Sequence, residues 1–271
     1  MNINGFNSKA AAIRHLRSKG HKFVGLLAAP ESNPKLAKNG KLGVLSAPLH
    51  LAPFNLSGFQ VCPQASEGCA AACLHTAGNP AYMAGKDASR KDKTRAYFKE
   101  RNAFMAVLTF ELFALRSKAK RKNMEPSARL NATSDLPWEV RTVTVDGLKI
   151  NLMGLFSDIQ FYDYSKVTKR ALAYAAGDMP KNYHLTFSKT ENNDVECIKV
   201  LKAGGNVAAV CALDVYKNAV IDGRLPYPYD THDAVDGDYT DYRPNDPVGV
   251  IVALKAKGDA KHDTSGFTLR A

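Results

Sequence analysis

The stretch NYHLTFSKTENNDVECIKVLKAGGNVAAVCAL (182–213) contains two apolar runs separated by a helix-like segment. Residues 182–191 and 206–213 have the composition of buried strands, and 193–205 has the apolar spacing of a helix that ends at two glycines. Strands joined by a helix pair in parallel through a right-handed crossover. This stretch therefore predicts an α/β fold.

The same alternation extends on both sides of this stretch. Further strands are predicted over 42–52, 127–135, 157–166 and 248–256, and a helix over 167–177. A long amphipathic helix is predicted over 86–122, a short helix over 8–18 and a possible strand over 23–27. Residues 139–156 fit either a hairpin around Asp146–Gly147 or the entry to a helix. We predict a largely parallel sheet with helical crossovers, TIM-barrel-like or a partial barrel, with a cysteine loop after an early strand.

Length and composition set the class of protein. The chain has 271 residues, of which 45% are hydrophobic and 23% charged, as in ordinary globular proteins. We predict an N-terminal lead-in over 1–40 and a single α/β domain over 41–271 whose cysteine loop covers 57–80. The sequence contains no apolar run of membrane-spanning length and no apolar block near its start, which predicts a cytoplasmic protein without a membrane partner.

The positive charge lies in the first half of the chain. Residues 1–135 contain 21 basic and 8 acidic side chains, whereas 136–271 contain 16 and 18. The excess is concentrated in the predicted helix 86–122, which could bind the phosphate backbone of a nucleic acid. A solvated basic helix face explains the same pattern.

Three of the five cysteines lie within twelve residues. Cys62, Cys69 and Cys73 have the spacing C-x6-C-x3-C on a segment rich in Gly and Pro, and nearby thiolates are preferred ligands of iron–sulfur clusters and zinc. Structural zinc sites normally use two close pairs of ligands, and a second pair is missing here, although His75 could complete a Cys3His set. Cys211 is the better candidate for a distant fourth ligand. Packing of small cysteines without metal is the alternative.

Polar residues form the carboxyl ends of three of the predicted strands. In parallel α/β folds, ligands bind at the carboxyl ends of the strands, so these residues predict a substrate or cofactor pocket. Helix capping by the Ser and Asn side chains is the alternative. The candidate pocket residues are Asn131, Ser134, Asp163, Tyr164, Ser165, Lys166, Ser188, Lys189 and Glu191.

Two families share features with this sequence. A cysteine triplet after the first strand of a parallel α/β array resembles the radical S-adenosylmethionine enzymes, although their usual spacing is C-x3-C-x2-C. CPQASEGCAAACLHTAG (62–78), FYDYSK (161–166) and LTFSKTENN (185–193) resemble the phage gene product 88 family. The second resemblance implies a phage origin, hence the host cytoplasm, and a cysteine-bound cluster, and it assigns no reaction.

Three functions remain open from the sequence. The first is a phage protein that holds a [4Fe-4S] cluster with three or four cysteines and acts as a radical-SAM-like or redox enzyme, with a small molecule at the open iron. The second is a zinc-stapled barrel that binds or modifies nucleic acid. The third is a non-catalytic protein whose cluster senses redox state or stabilises the fold.

Overall fold

The computed structural model describes residues 1–29, 34–73 and 84–270. The helices are α1 (Lys9–Ser18), α2 (Pro34–Ala37), α3 (Glu67–Ala71), α4 (Ala84–Lys99), α5 (Arg101–Arg121), α6 (Leu152–Leu155), α7 (Thr168–Ala175), α8 (Asp194–Lys202) and α9 (Leu213–Asp222). The strands are β1 (Val44–Pro48), β2 (Glu125–Arg129), β3 (Thr142–Val145), β4 (Leu148–Asn151), β5 (Gln160–Ser165), β6 (Tyr183–Ser188), β7 (Asn206–Cys211), β8 (Ala234–Asp236) and β9 (Ile251–Lys255).

The main sheet has the strand order β1-β2-β5-β6-β7-β9-β8. The pairs β1–β2, β2–β5, β6–β7, β7–β9 and β8–β9 are parallel. Parallel neighbours cannot be joined by a tight turn, which is why α5, α7 and α8 occur as crossovers between them. The predicted α/β class, with a largely parallel sheet and a cysteine loop after an early strand, is confirmed. Closure of the sheet into a barrel stays a prediction.

The antiparallel pair β3–β4 forms a separate hairpin. Its turn residues Asp146 and Gly147 have φ angles of 47° and 88°, as a two-residue hairpin turn requires. Of the two alternatives left open for residues 139–156, the hairpin is correct.

By the density of its contacts, the chain divides into two compact units. The first comprises Met1–Cys62, Pro80–Phe161 and Pro180–Tyr183. The second comprises Pro63–Asn79, Tyr162–Met179 and His184–Ala271. Each unit has its own buried residues.

Helix α5 organises the core of the first unit. It contacts α1, α4, β1 and β2, and it buries Phe104, Leu108 and Leu112 at helical spacing. The single tryptophan, Trp138, is fully buried with its ring 5.4 Å from that of Tyr97. Its fluorescence therefore reports on the first unit.

A buried carboxylate fixes the N-terminal lead-in to α5. Glu111, which is 9% exposed, accepts hydrogen bonds from the N–H groups of Leu26 and Leu27, the shorter at 2.7 Å, and forms an ion pair with Lys9 at 2.7 Å. A Cβ atom at position 25 would lie 2.7 Å from the Glu111 carboxylate, so only Gly25 allows this approach. The predicted strand over 23–27 is wrong: the N–H groups of Leu26 and Leu27 bind a side chain, and the segment pairs with another backbone only through an isolated bridge between Leu27 and Leu49.

The predicted helix over 86–122 is two helices, α4 and α5, that meet at Glu100. Glu100 has φ −126° and ψ 49°, outside the helical region, and its carboxylate lies 2.9 Å from His15 of α1. The Arg101 side chain donates to the Tyr97 carbonyl at 2.6 Å and lies over the Tyr97 ring. The break is therefore held by contacts that the helical periodicity does not encode. The predicted short helix over 8–18 is confirmed as α1.

The second unit has a core between its strands and its helices. Phe187, Val207 and Ile251 on β6, β7 and β9 are fully buried and belong to one apolar cluster with residues of α8 and α9. Cys197 and Cys211 belong to the same cluster and are fully buried. These two cysteines therefore contribute to the core.

Replacing Glu111 with Ala is expected to destabilise the first unit by about 2–4 kcal/mol, because two buried N–H groups lose their acceptor. Urea unfolding followed by Trp138 fluorescence measures the change. Glu125→Ala removes an exposed carboxylate from the same unit and is expected to change stability by no more than about 0.5 kcal/mol. Equal effects of both substitutions would contradict the anchoring role of Glu111.

Candidate functional site

Cys62 lies beyond the carboxyl ends of β1 and β2 in the first unit. Its Sγ accepts a hydrogen bond from the N–H of Phe54 at 3.4 Å and lies 4.0 Å from the carbonyl oxygen of Thr133. The neighbouring Val61 carbonyl accepts the N–H of Asp135 at 2.8 Å. Cys62 is partly exposed.

Cys69 lies on the short helix α3 in the second unit. Ser66 caps this helix: its hydroxyl oxygen accepts the N–H of Cys69 at 3.2 Å. Cys73 lies two residues beyond the end of α3. Both cysteines are partly exposed.

Glu191, which follows β6, binds the start of α3. Its carboxylate accepts the Ser66 hydroxyl at 2.6 Å and the N–H of Gly68 at 2.8 Å. Burial by itself raises the pKa of Glu191, but the hydrogen bonds from Ser66, from its own N–H and from Gly68 outweigh this effect and lower the pKa. The carboxylate therefore stays ionised while it holds α3.

The C-terminal segment, residues 263–269, packs against the same helix. A methyl group at Gly68 would overlap the hydroxyl of Ser265, which donates to Asp263 at 2.6 Å. Phe267 belongs to a buried cluster with Ala72, against which Cys69 packs. Sequence reasoning missed these contacts because the segment is almost 200 residues away from α3. The start of α3 at Ser66 could have been predicted from the local sequence, because Ser followed by Glu is common at the start of a helix.

Lys189 links the end of β6 to the C-terminal segment. Its ammonium group is buried and donates to the carbonyls of Thr190 at 2.9 Å and Gly266 at 3.2 Å. It also lies 3.6 Å from the carboxylate of Asp194. The ammonium group of Lys189 therefore has its hydrogen-bond and ion-pair partners within the second unit.

The remaining cysteines differ from the clustered ones. Cys197 and Cys211 are fully buried, and burial raises the pKa of each thiol to about 12. Cys211 donates to the carbonyl of Ala209 at 3.5 Å. A role of Cys211 as a fourth ligand stays a prediction, and its surroundings favour the protonated thiol over the thiolate that metals bind.

In residues 1–29, 34–73 and 84–270, no group of three or more His, Cys, Asp or Glu side chains could hold a metal ion as placed. His75 and the rest of the predicted cysteine loop from 74 to 80 lie outside the described residues.

Asn131 and Ser134, which were predicted to line a pocket, bind each other in the first unit. The side-chain oxygen of Asn131 accepts the Ser134 hydroxyl at 2.8 Å, the N–H of Leu136 at 2.8 Å and the indole N–H of Trp138 at 3.1 Å. Both residues are buried. This network fixes the turn after β2, and a ligand-binding role for Asn131 and Ser134 stays a prediction.

The candidate residues at the ends of β5 and β6 lie in the second unit. Ser165 accepts the N–H of Val167 at 3.0 Å and a guanidinium N–H of Arg170 at 3.2 Å, so it supports the start of α7. The carbonyl of Ser188 accepts the side-chain amide of Asn193 at 3.0 Å. Asp163 is fully buried in β5, whereas Tyr164 and Lys166 are partly buried.

Several cations of the predicted basic helix 86–122 are engaged within the first unit. Lys93 donates to the carbonyl of Leu26 at 3.0 Å, and Arg95 donates to that of Ser57 at 3.2 Å. Lys120 and Arg121 at the end of α5 are exposed. Nucleic-acid binding through this region stays a prediction, and these exposed cations are its best candidates.

A family model described as Gene product 88 matches residues 26–271. The chain belongs to the gene product 88 family. This match confirms the resemblance to the phage gene product 88 family. No curated protein and no solved structure gives a significant match to this family member. None of its described helices is both long and apolar enough to cross a membrane.

Alkylation is expected to separate the two classes of cysteine. Native protein treated with iodoacetamide in the absence of metal should be modified at Cys62, Cys69 and Cys73 before Cys197 and Cys211. A pKa of about 12 leaves only about one thiol in a thousand ionised at pH 9, so Cys197 and Cys211 should be labelled slowly even at that pH. Mass spectrometry of the digested protein measures the sites, and early labelling of Cys211 would contradict its burial.

Asn131→Ala is expected to destabilise the first unit by about 2–4 kcal/mol, because three donors lose a shared acceptor. The midpoint of urea unfolding, followed by Trp138 fluorescence, measures this change. Asn102→Ala, at an exposed position of α5, is the matched control. An unchanged midpoint for Asn131→Ala would show that the side chain does not hold this turn.

Proposed function

We propose that this protein binds an iron–sulfur cluster through Cys62, Cys69 and Cys73. The observation that carries the proposal is the difference between the cysteines: the three that are close in sequence are partly exposed, whereas the two isolated ones are buried and protonated. Thiolate rather than thiol is the metal ligand. The accessible group is therefore the one suited to metal chemistry.

The positions of the cysteines also support this proposal. Cys62 follows β1, and Cys69 is held at the end of β6 by Glu191 and Ser66, so both lie beyond carboxyl ends of parallel strands. Ligands gather at this edge in parallel α/β folds. The proposal requires Cys62, Cys69 and Cys73 to coordinate one metal centre together.

Three protein thiolates leave one coordination position of a four-iron cluster for another ligand. We propose that a small molecule occupies this position, which is the arrangement that the resemblance to radical S-adenosylmethionine enzymes implies. The chain lacks a Gly-Gly-Glu-like segment after the second strand, where NATSDLPWE (131–139) stands instead. S-adenosylmethionine is still one ligand to test at the open position. The alternative role of the cluster is to carry one electron.

Measuring the metal content of protein purified without oxygen tests the proposal. The parent chain is expected to be brown, with a broad absorption band near ~400 nm and about four iron and four sulfide per chain. Cys69→Ala should lose at least about half of the iron, because one of three ligands is missing. Cys197→Ala removes a buried thiol outside the cluster and should retain the iron, with an unchanged circular dichroism spectrum.

Two results for the metal content would overturn the iron–sulfur proposal. About one zinc per chain without iron would favour the zinc-stapled alternative, and salt-dependent binding to DNA or RNA would then test its nucleic-acid function. The second result is protein that contains no stoichiometric metal even after reconstitution with iron and sulfide. This result would exclude a cysteine-bound centre.

A further inference from the structure

A continuous chain of hydrogen bonds connects the backbone of Cys69 to Glu191. The N–H of Cys69 donates to the Ser66 hydroxyl at 3.2 Å, and this hydroxyl donates to the Glu191 carboxylate at 2.6 Å. The second carboxylate oxygen accepts the N–H of Gly68 at 2.8 Å. Glu191 therefore binds Gly68 and Ser66, which lie one and three positions before Cys69.

Apolar packing also holds α3 in place. Cys69 packs against the buried cluster of Ala72, Ala256, Ala260 and Phe267. Gly68 is buried and so close to Ser265 that any side chain would separate α3 from the C-terminal segment. A five-residue helix has little stability of its own, so these two sets of contacts must hold it.

We propose that Glu191 is a positioning residue for the metal centre, and that it acts by holding Cys69 in place for coordination. This inference rests on the proposed function, because it assigns a role to Glu191 at the same site. It also differs from the prediction that Glu191 contacts a substrate or cofactor in the pocket. The carboxylate is occupied by donors of α3, and its effect on the centre passes through Cys69.

Three variants distinguish the loss of the hydrogen bonds to Glu191 from the loss of a negative charge near α3. Glu191→Ala removes both acceptors. Glu191→Gln keeps an oxygen for the N–H of Gly68 and offers an amide donor to Ser66, so it should behave nearly as the parent. Glu67→Ala is the matched control, because it removes one exposed negative charge from the first turn of α3 without a described contact that holds the helix.

The first measurement is the alkylation rate of each cysteine in full-length protein without metal. Glu191→Ala is expected to accelerate labelling of Cys69 by about tenfold, because loss of both hydrogen-bond contacts frees α3. Glu191→Gln and Glu67→Ala should stay within about twofold of the parent. Cys197 and Cys211 serve as internal references, since general unfolding would expose them as well.

The labelling rates either support or overturn the positioning role of Glu191. Selective acceleration of Cys69 in Glu191→Ala supports the positioning role. An unchanged Cys69 rate, an equal acceleration in Glu67→Ala, or parallel acceleration of Cys197 and Cys211 would each overturn it. None of these results depends on metal, so a parent chain that binds no metal would refute the proposed function and leave this measurement of α3 valid.

The second measurement compares the bound centre in the same variants. If the parent binds iron, Glu191→Ala should change the electron paramagnetic resonance spectrum of the reduced centre and lower its iron content, and Glu191→Gln should restore both. The urea midpoint from Trp138 in the first unit should not move. A parent-like spectrum and iron content in Glu191→Ala would overturn the role of Glu191 at the centre.

Discussion

Parallel strand pairing is the constraint from which the rest of this structure follows. Each parallel strand must end in a connection that crosses to the next strand, and the backbone at that exit has polar groups that the sheet no longer satisfies. The side chains of Asn131 and Ser165 accept such backbone donors after β2 and β5, respectively. Polar residues at strand ends are therefore needed for folding before any ligand is considered.

Two carboxylates extend this principle to distant parts of the chain. Glu111 binds backbone N–H groups 84 and 85 residues away, and Glu191 binds that of Gly68, 123 residues away. A carboxylate forms stronger hydrogen bonds with backbone donors than a neutral acceptor does. In each case a glycine, Gly25 or Gly68, allows the close approach. These two contacts attach irregular segments to regular elements within their respective units.

The cysteines of the chain have two different roles in this arrangement. Cys197 and Cys211 fill the apolar core of the second unit, where burial keeps their thiols protonated. Cys69 lies at the boundary between an apolar cluster and solvent, on a helix whose start is fixed by hydrogen bonds. Cys69 is therefore partly exposed while its backbone N–H is hydrogen-bonded to Ser66. Membership of the gene product 88 family assigns no reaction.

The sequence by itself determined the α/β class, most strands of the sheet, helices α1, α7 and α8, and the family. These features depend on local periodicity and on turn residues such as Gly204, which end an element wherever it lies. Only the tertiary structure decided that residues 23–27 bind Glu111 instead of forming a strand, that the helix predicted over 86–122 breaks at Glu100, and that Glu191 holds α3. The physical reason is that each of these features depends on a partner more than 80 residues away, and local patterns of hydrophobicity do not encode such pairings.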